Sequence, residues 1–172
     1  MKFNEKTLNS EYIYKGKILN LRRDDVELVN GALAKREVIE HSGGACVVCE
    51  KDGKILLVNQ FRYPYGSELL ELPAGKINPG ESPETTAIRE LEEEGGIKAE
   101  KVELLFKVYP SPGYTNEIIY VYKAIGLKNT TQSLDEDEFL DVVWVEKEQL
   151  KKMIKSGEIK DGKTLIGLLA IL

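Results

Sequence analysis

Apolar and polar residues alternate with a period of two through much of the first half of the chain, and turn residues rather than linkers interrupt the pattern. Tyr12 to Lys15 and Ile18 to Leu28 alternate moderately, Asn30-Gly31 has the composition of a type I′ turn, and Ala34 to His41 returns. A meander of this kind has little core. Its apolar face is expected to pack on its own domain or on a second copy of the chain. A second hairpin runs from Ala45 to Glu50 and from Lys54 to Tyr63 around Asp52-Gly53, and a further strand is predicted from Glu68 to Leu72. Strands at Glu103 to Tyr109, Glu117 to Ile125 and Asp141 to Val145 follow, and Lys147 to Lys155 and Lys163 to Leu172 read as amphipathic helices. There is no internal repeat and no low-complexity linker. Helices on both sides of a mixed sheet make an α/β sandwich, so the expected organisation is a small β-meander over 1–41 and a larger α/β domain over 42–172.

Between the strands at Glu68 and Glu103 the period changes to that of a helix. Asn78-Pro79-Gly80 signals a turn, Ser82 is a good N-cap, Pro83 occupies a position whose N–H would be unpaired anyway, and the helix should stop at Gly95-Gly96. Ala87, Ile88 and Leu91 form an apolar stripe that would anchor the helix to a sheet. Beside it, Glu90, Glu93 and Glu94 share one face, because positions i, i+3 and i+4 are neighbours on a helix. Such a face repels itself and needs a compensating cation. Hard oxygen ligands without thiolate or imidazole suit Mg²⁺ or Mn²⁺, which also hold substrate phosphates. Arg89 lies one turn before Glu93 and is expected to fix that carboxylate's rotamer.

Composition narrows the picture further. The chain has 172 residues, 42% hydrophobic and 31% charged, an ordinary globular balance with enough length to bury a core. A net charge of −5 argues against a nucleic-acid groove or an anionic membrane surface as partner. No apolar run approaches the roughly 20 residues of a membrane span, and the first residues lack a signal-peptide core, so a cytoplasmic protein is expected. Cys46 and Cys49 form a C-x-x-C, but in a β-branched run residues three apart point to opposite faces, and no further thiol is available for a zinc site. His41, the single histidine, reads as a structural residue at a strand end.

The segment from Gly75 to Ile97 resembles the Nudix hydrolases, whose box has fixed positions matched here by Gly75, Glu81, Arg89, Glu90, Leu91, Glu93, Glu94, Gly96 and Ile97. The resemblance covers most of the chain and is similar to the bacterial ADP-ribose pyrophosphatases in Gln60-Phe61-Arg62-Tyr63-Pro64, Leu72-Pro73-Ala74-Gly75 and Ser111-Pro112-Gly113. Pro112 stands fifteen positions beyond Ile97, a spacing associated with ADP-ribose in that family. The resemblance implies the Nudix α/β/α sandwich and Mg²⁺-dependent cleavage of ADP-ribose to AMP and ribose 5-phosphate. Another nucleoside diphosphate sugar such as GDP-mannose is the alternative substrate. A regulator that binds nucleotide without hydrolysing it is the alternative function, though such proteins have usually lost box carboxylates. The implied metal ligands are Glu90, Glu93, Glu94 and the Ala74 carbonyl, with Glu81 supporting the loop. The implied base is an acid of the Leu134 to Glu138 loop, Glu136 first and Glu138 next, with Glu93 as the alternative. Arg36 and Arg62 are placed to grip phosphate or the terminal ribose, and a strand-edge salt bridge is the other reading of each. Glu71 would accept ribose hydroxyls, Tyr12 or Tyr14 would stack on adenine, and the meander would make a homodimer.

Overall fold

The computed structural model describes residues 3–172, which divide into two compact units: 3–43 with Tyr109–Ile118, and Gly44–Val108 with Ile119–Leu172. The first unit takes in a segment, Tyr109–Ile118, that lies beyond the expected 1–41 boundary. Its sheet is antiparallel in the order β1 (Lys6–Lys15), β2 (Asn20–Glu27), β3 (Leu33–Glu40). Ile39 ties it to the added segment, donating to the Tyr114 carbonyl at 2.7 Å and accepting from the Asn116 N–H at 3.1 Å. Little is buried here. Val26 and Asp24 are covered, and Asp24 is paired with Arg22 (Nε to Oδ1, 2.8 Å), whereas all ten residues of β1 are exposed.

The Asn30-Gly31 hairpin differs from the type I′ expectation. Only Gly31 is left-handed (φ 82°), and its N–H bonds the Leu28 carbonyl at 2.9 Å, as in a type I turn closed by a left-handed glycine. The reason is local: the Asn30 side chain accepts from the Ala32 N–H at 3.1 Å, and Asn30 keeps a negative φ. At Asp52-Gly53 both residues are left-handed (φ 52° and 78°), so the primed turn forms there.

In the second unit one sheet runs β8 (Ala74–Lys76), β4 (Gly44–Val48), β10 (Ile119–Asn129), β9 (Ile97–Val108), with β4 and β10 parallel and the other pairs antiparallel. The other sheet runs β11 (Leu140–Glu146), β6 (Lys54–Arg62), β5 (Glu50–Lys51), and β7 (Ser67–Glu71) also pairs with β6. One core cluster joins Ala87 and Leu91 of helix α1 (Pro83–Gly95) to Val47, Leu56, Val58 and Tyr122. The other joins Leu150 and Met153 of α2 (Lys147–Ser156) and Leu168 of α3 (Gly162–Leu169) to Val48, Ile55, Leu57 and Val121. Helices therefore cover both faces, giving an α/β/α sandwich on a mixed sheet. No helix among the described residues is long and apolar enough to cross a membrane.

Three strand segments were not predicted, the first being residues 6–11 at the start of β1. β8 is three residues long and contains a glycine, too short to show a period. The first half of β9, Ile97-Lys-Ala-Glu-Lys101, is rich in helix formers, yet Ile97 and Ala99 are buried and the segment pairs with the far end of β10. Cys46 and Cys49 are both fully buried, free, and in opposite core clusters, so the C-x-x-C forms no site; burial pushes each thiol up to about 12.

Candidate active site

Helix α1 begins where Ser82 Oγ accepts from the Thr85 N–H at 3.1 Å and ends at left-handed Gly96. Its apolar stripe fixes the rotation of the helix, and that rotation buries Glu90 and Glu94 while Glu93 stays partly exposed. Arg89 gathers the acidic side together. Its Nε and Nη2 fork onto Glu81 (2.9 and 3.0 Å), and its Nη1 reaches Glu90 at 2.7 Å and Glu93 at 2.8 Å. Glu81 in turn accepts from the Asn78 N–H at 3.2 Å, closing the loop before the helix.

The β8 strand forms the opposite wall. The Ala74 N–H donates to Glu94 Oε2 at 2.9 Å, and a Cβ on Gly75 would run into the Glu90 carboxylate. Only glycine lets the strand approach Glu90 this closely. Burial pushes Glu90 up to about 7, with Glu93 and Glu138 adding to the rise against the pull of Arg89; burial likewise pushes Glu94 up to about 8, against the Ala74 N–H. Glu81, facing Arg89, falls to about 2. Arg89 alone thus leaves the two buried carboxylates short of positive charge. A hard divalent cation fits that donor set. Among the described residues no three acidic, histidine or cysteine side chains already surround one point, because Arg89 Nη1 lies between Glu90 and Glu93.

The loop after β10 is tied to the helix end. Thr130 N–H donates to the Gly96 carbonyl (2.8 Å), Gln132 Nε2 to the Glu94 carbonyl (2.7 Å) and Ser133 N–H to the Glu93 carbonyl (2.9 Å). These bonds cap the last turn of α1 and lead directly into the acidic loop. Of the loop acids, Glu138 adds its charge to the rise of both Glu90 and Glu94. Gln132 was not singled out from the sequence, where nothing distinguishes a capping glutamine from a solvated one.

The remaining candidates divide between the two units. In the second, Arg62 forks onto Glu71 (Nε to Oε1, 2.6 Å; Nη2 to Oε2, 2.7 Å), and Lys163 also donates to Glu71. Glu71 is 1% exposed, and both its oxygens accept from cations of this unit. Arg62 Nη1, by contrast, has no hydrogen-bond partner among the described residues. In the first unit Arg36 makes the strand-edge salt bridge: Nε and Nη2 reach Glu5 at 2.9 and 2.6 Å, and Nη1 reaches the Lys35 carbonyl at 2.9 Å. Tyr14 is exposed, Tyr12 donates to Glu40 at 3.0 Å, and Pro112 lies in the turn that Tyr114 and Thr115 close by bonding the Ser111 carbonyl. His41 is structural in its contacts, accepting from the Gly43 N–H at 3.1 Å and lying 3.3 Å from Glu117.

Residues 40–165 match the NUDIX domain. The chain belongs to the Nudix hydrolase family. Residues 5–39 match a second description, the nucleoside diphosphate sugar hydrolase N-terminal domain, found here ahead of the Nudix domain. The ADP-ribose pyrophosphatase of Bacillus subtilis (strain 168) is 44% identical over 163 residues, covering 93% of this chain and 88% of that one. The methanol dehydrogenase activator of Bacillus methanolicus is 43% identical over 169 residues, covering 96% and 91%. The solved structure described as an ADP compounds hydrolase superposes with a TM-score of 0.85 over 97% of this chain and 91% of that one, at 23% identity, so it shares the Nudix fold.

Proposed function

We propose that this Nudix chain hydrolyses ADP-ribose to AMP and ribose 5-phosphate with a divalent cation, Mg²⁺ or Mn²⁺. The observation that carries the reading is the complete acidic face of α1, with Glu90 and Glu94 buried short of positive charge beside β8. The substrate choice is supported by likeness to the Bacillus subtilis ADP-ribose pyrophosphatase across 93% of the chain.

Glu90, Glu93, Glu94 and the Ala74 carbonyl would hold the cation. When bound, it neutralises charge that builds on the diphosphate oxygens as water attacks. Arg89 orients Glu90 and Glu93 and keeps Glu81 in the supporting loop. An acid of the 134–138 loop, Glu138 or Glu136, would orient the water and take its proton; the attacked phosphorus gains an oxygen and the bridging P–O bond breaks. Arg62, clamped on one edge by Glu71, offers its Nη1 to a phosphate oxygen. Glu71 holds this arginine in place. The exposed β1 supports a homodimer built through the meander, in which Tyr14 and Pro112 serve substrate contacts. Free buried thiols suit a reducing cytoplasm.

The test is Mg²⁺-dependent product release from ADP-ribose, GDP-mannose, ADP-glucose, NADH, diadenosine polyphosphates and 8-oxo-dGTP, resolved by chromatography. AMP from ADP-ribose well above all others is expected. Preference for another member would keep the box chemistry and discard the substrate, and hydrolysis of none would favour a nucleotide-binding regulator.

A further inference from the structure

The Arg62–Glu71 pair is one end of a larger ion network that reaches the last helix. Lys163, in the first turn of α3, donates to Glu71 Oε2, and its Nζ lies 3.0 Å from Asp161 Oδ2. That same Asp161 oxygen caps α3, accepting from the Thr164 N–H at 3.0 Å and from Thr164 Oγ1 at 2.7 Å. Thr164 Oγ1 then accepts from the Leu72 N–H at 2.8 Å. Leu72 stands two residues before Ala74, whose N–H holds Glu94. The network therefore has two limbs. One runs through Glu71 to Arg62, the other through Asp161 and Thr164 to the strand beside the buried carboxylates, and Lys163 joins them.

Its charges balance, with Arg62 and Lys163 against Glu71 and Asp161. The side chains of Lys163 and Glu71 are 13% and 2% exposed, so neither can turn to water for a substitute partner. Buried ion pairs add little net stability over apolar packing, but removal of one member leaves its partner charged and unpaired, which forces the surroundings to shift. Removing Lys163 leaves Glu71 and Asp161 with Arg62 as the nearest cation of the network. That arrangement would draw the guanidinium inward, toward Glu71 and away from Glu94, and leave one negative charge of the network uncompensated. Neither consequence requires Lys163 to touch substrate or metal.

We propose that Lys163 is a positioning residue of the active site. It holds Arg62 in place through Glu71, and the segment from Leu72 to the start of β8 in place through Asp161 and Thr164. The Arg62 limb rests on the hydrolysis proposed above, whereas the strand limb concerns metal affinity and stands without it.

The experiment uses the full chain with Lys163→Met and Lys163→Arg, and reads Mn²⁺ affinity by the loss of the free-ion EPR signal without substrate, KM and kcat on ADP-ribose, and thermal unfolding. Lys163→Met is expected to weaken Mn²⁺ binding about tenfold, at the lower end of what outer-shell changes cost, and to raise KM by about as much. Lys163→Arg, which keeps the charge, should recover most of both. A lowered unfolding temperature with native Mn²⁺ affinity and native KM would overturn the proposal, leaving Lys163 a packing residue. If Lys163→Met does not fold, Asp161→Asn replaces it, since it keeps an oxygen for Thr164 while removing the charge that faces Lys163; weaker Mn²⁺ binding supports the proposal and native binding overturns it. A native chain that binds Mn²⁺ but leaves ADP-ribose intact would defeat the substrate reading alone, and the Mn²⁺ comparison would still decide the role of Lys163.

Discussion

Glu94 shows how one residue opposes folding and serves the site at once. It lies 3% exposed with a single N–H donor, and burial raises its carboxyl to about 8. A group whose folded pKa exceeds its unfolded value holds more protons when folded, so its stabilising contribution is complete below the ordinary carboxylate range and is lost as pH rises through 8. Glu90, raised to about 7, acts in the same direction. Metal-free protein should therefore melt at progressively lower temperature between about pH 4.5 and 8. Mg²⁺ should flatten that slope by replacing the protons with a cation. Glu94→Gln should remove part of the slope in chelator and, at pH 8, unfold at a higher temperature than the native chain, while losing roughly 100-fold or more in kcat/KM. Differential scanning fluorimetry with EDTA and with Mg²⁺ checks the first claim, and a flat metal-free profile would refute it. Gly75→Ala tests the neighbouring wall: a methyl pressed into the Glu90 carboxylate should cost roughly 10–100-fold in activity with the circular dichroism spectrum retained.

Helix α1 was legible from its own residues. The Ser82 cap, Pro83 at the first position, the Ala87 and Leu91 stripe and the glycine stop all lie within its own stretch of sequence, and each predicted interaction forms at the predicted residue. Ser82→Ala should therefore cost about 1 kcal/mol, roughly 2–4 °C for a chain of this size, and leave metal affinity unchanged. Thermal unfolding with and without Mn²⁺ would separate the two effects. Elements specified by distant partners were harder to read. The start of β9 is made of residues that favour helix in isolation, and it is a strand because β10 accepts it; β8 exists because three residues pair with β4. The site divides in the same way. The acidic face and Arg89 follow from helical spacing, but Lys163 meets Glu71 across 92 positions and Gln132 reaches Glu94 across 38, and neither separation leaves a local pattern. The Thr130 to Ser133 tethers that lead into the acidic loop are likewise long-range.

At the scale of the whole molecule the question is what covers β1. The strand is ten residues long, stands at the edge of its sheet, and exposes Leu8, Tyr12, Ile13 and Tyr14 to about half their full area (49%, 47%, 50% and 58%). The opposite edge is different, because β3 is bridged by Thr115. Long edge strands with apolar side chains on them invite another chain to pair or pack there. Charges at Lys6, Glu11 and Lys15 space the apolar residues apart, which favours one matched partner over open-ended stacking. A two-fold pairing of identical meanders meets that requirement, since each copy supplies the same uncovered strand to the other. Size-exclusion chromatography with light scattering should give twice the chain mass at micromolar concentration. Ile13→Lys should shift the species toward a monomer, because it puts a charge on the apolar strand of each copy, within the first unit. A native chain that runs as a monomer at every accessible concentration would rule the dimer out and leave β1 exposed for a partner of different sequence.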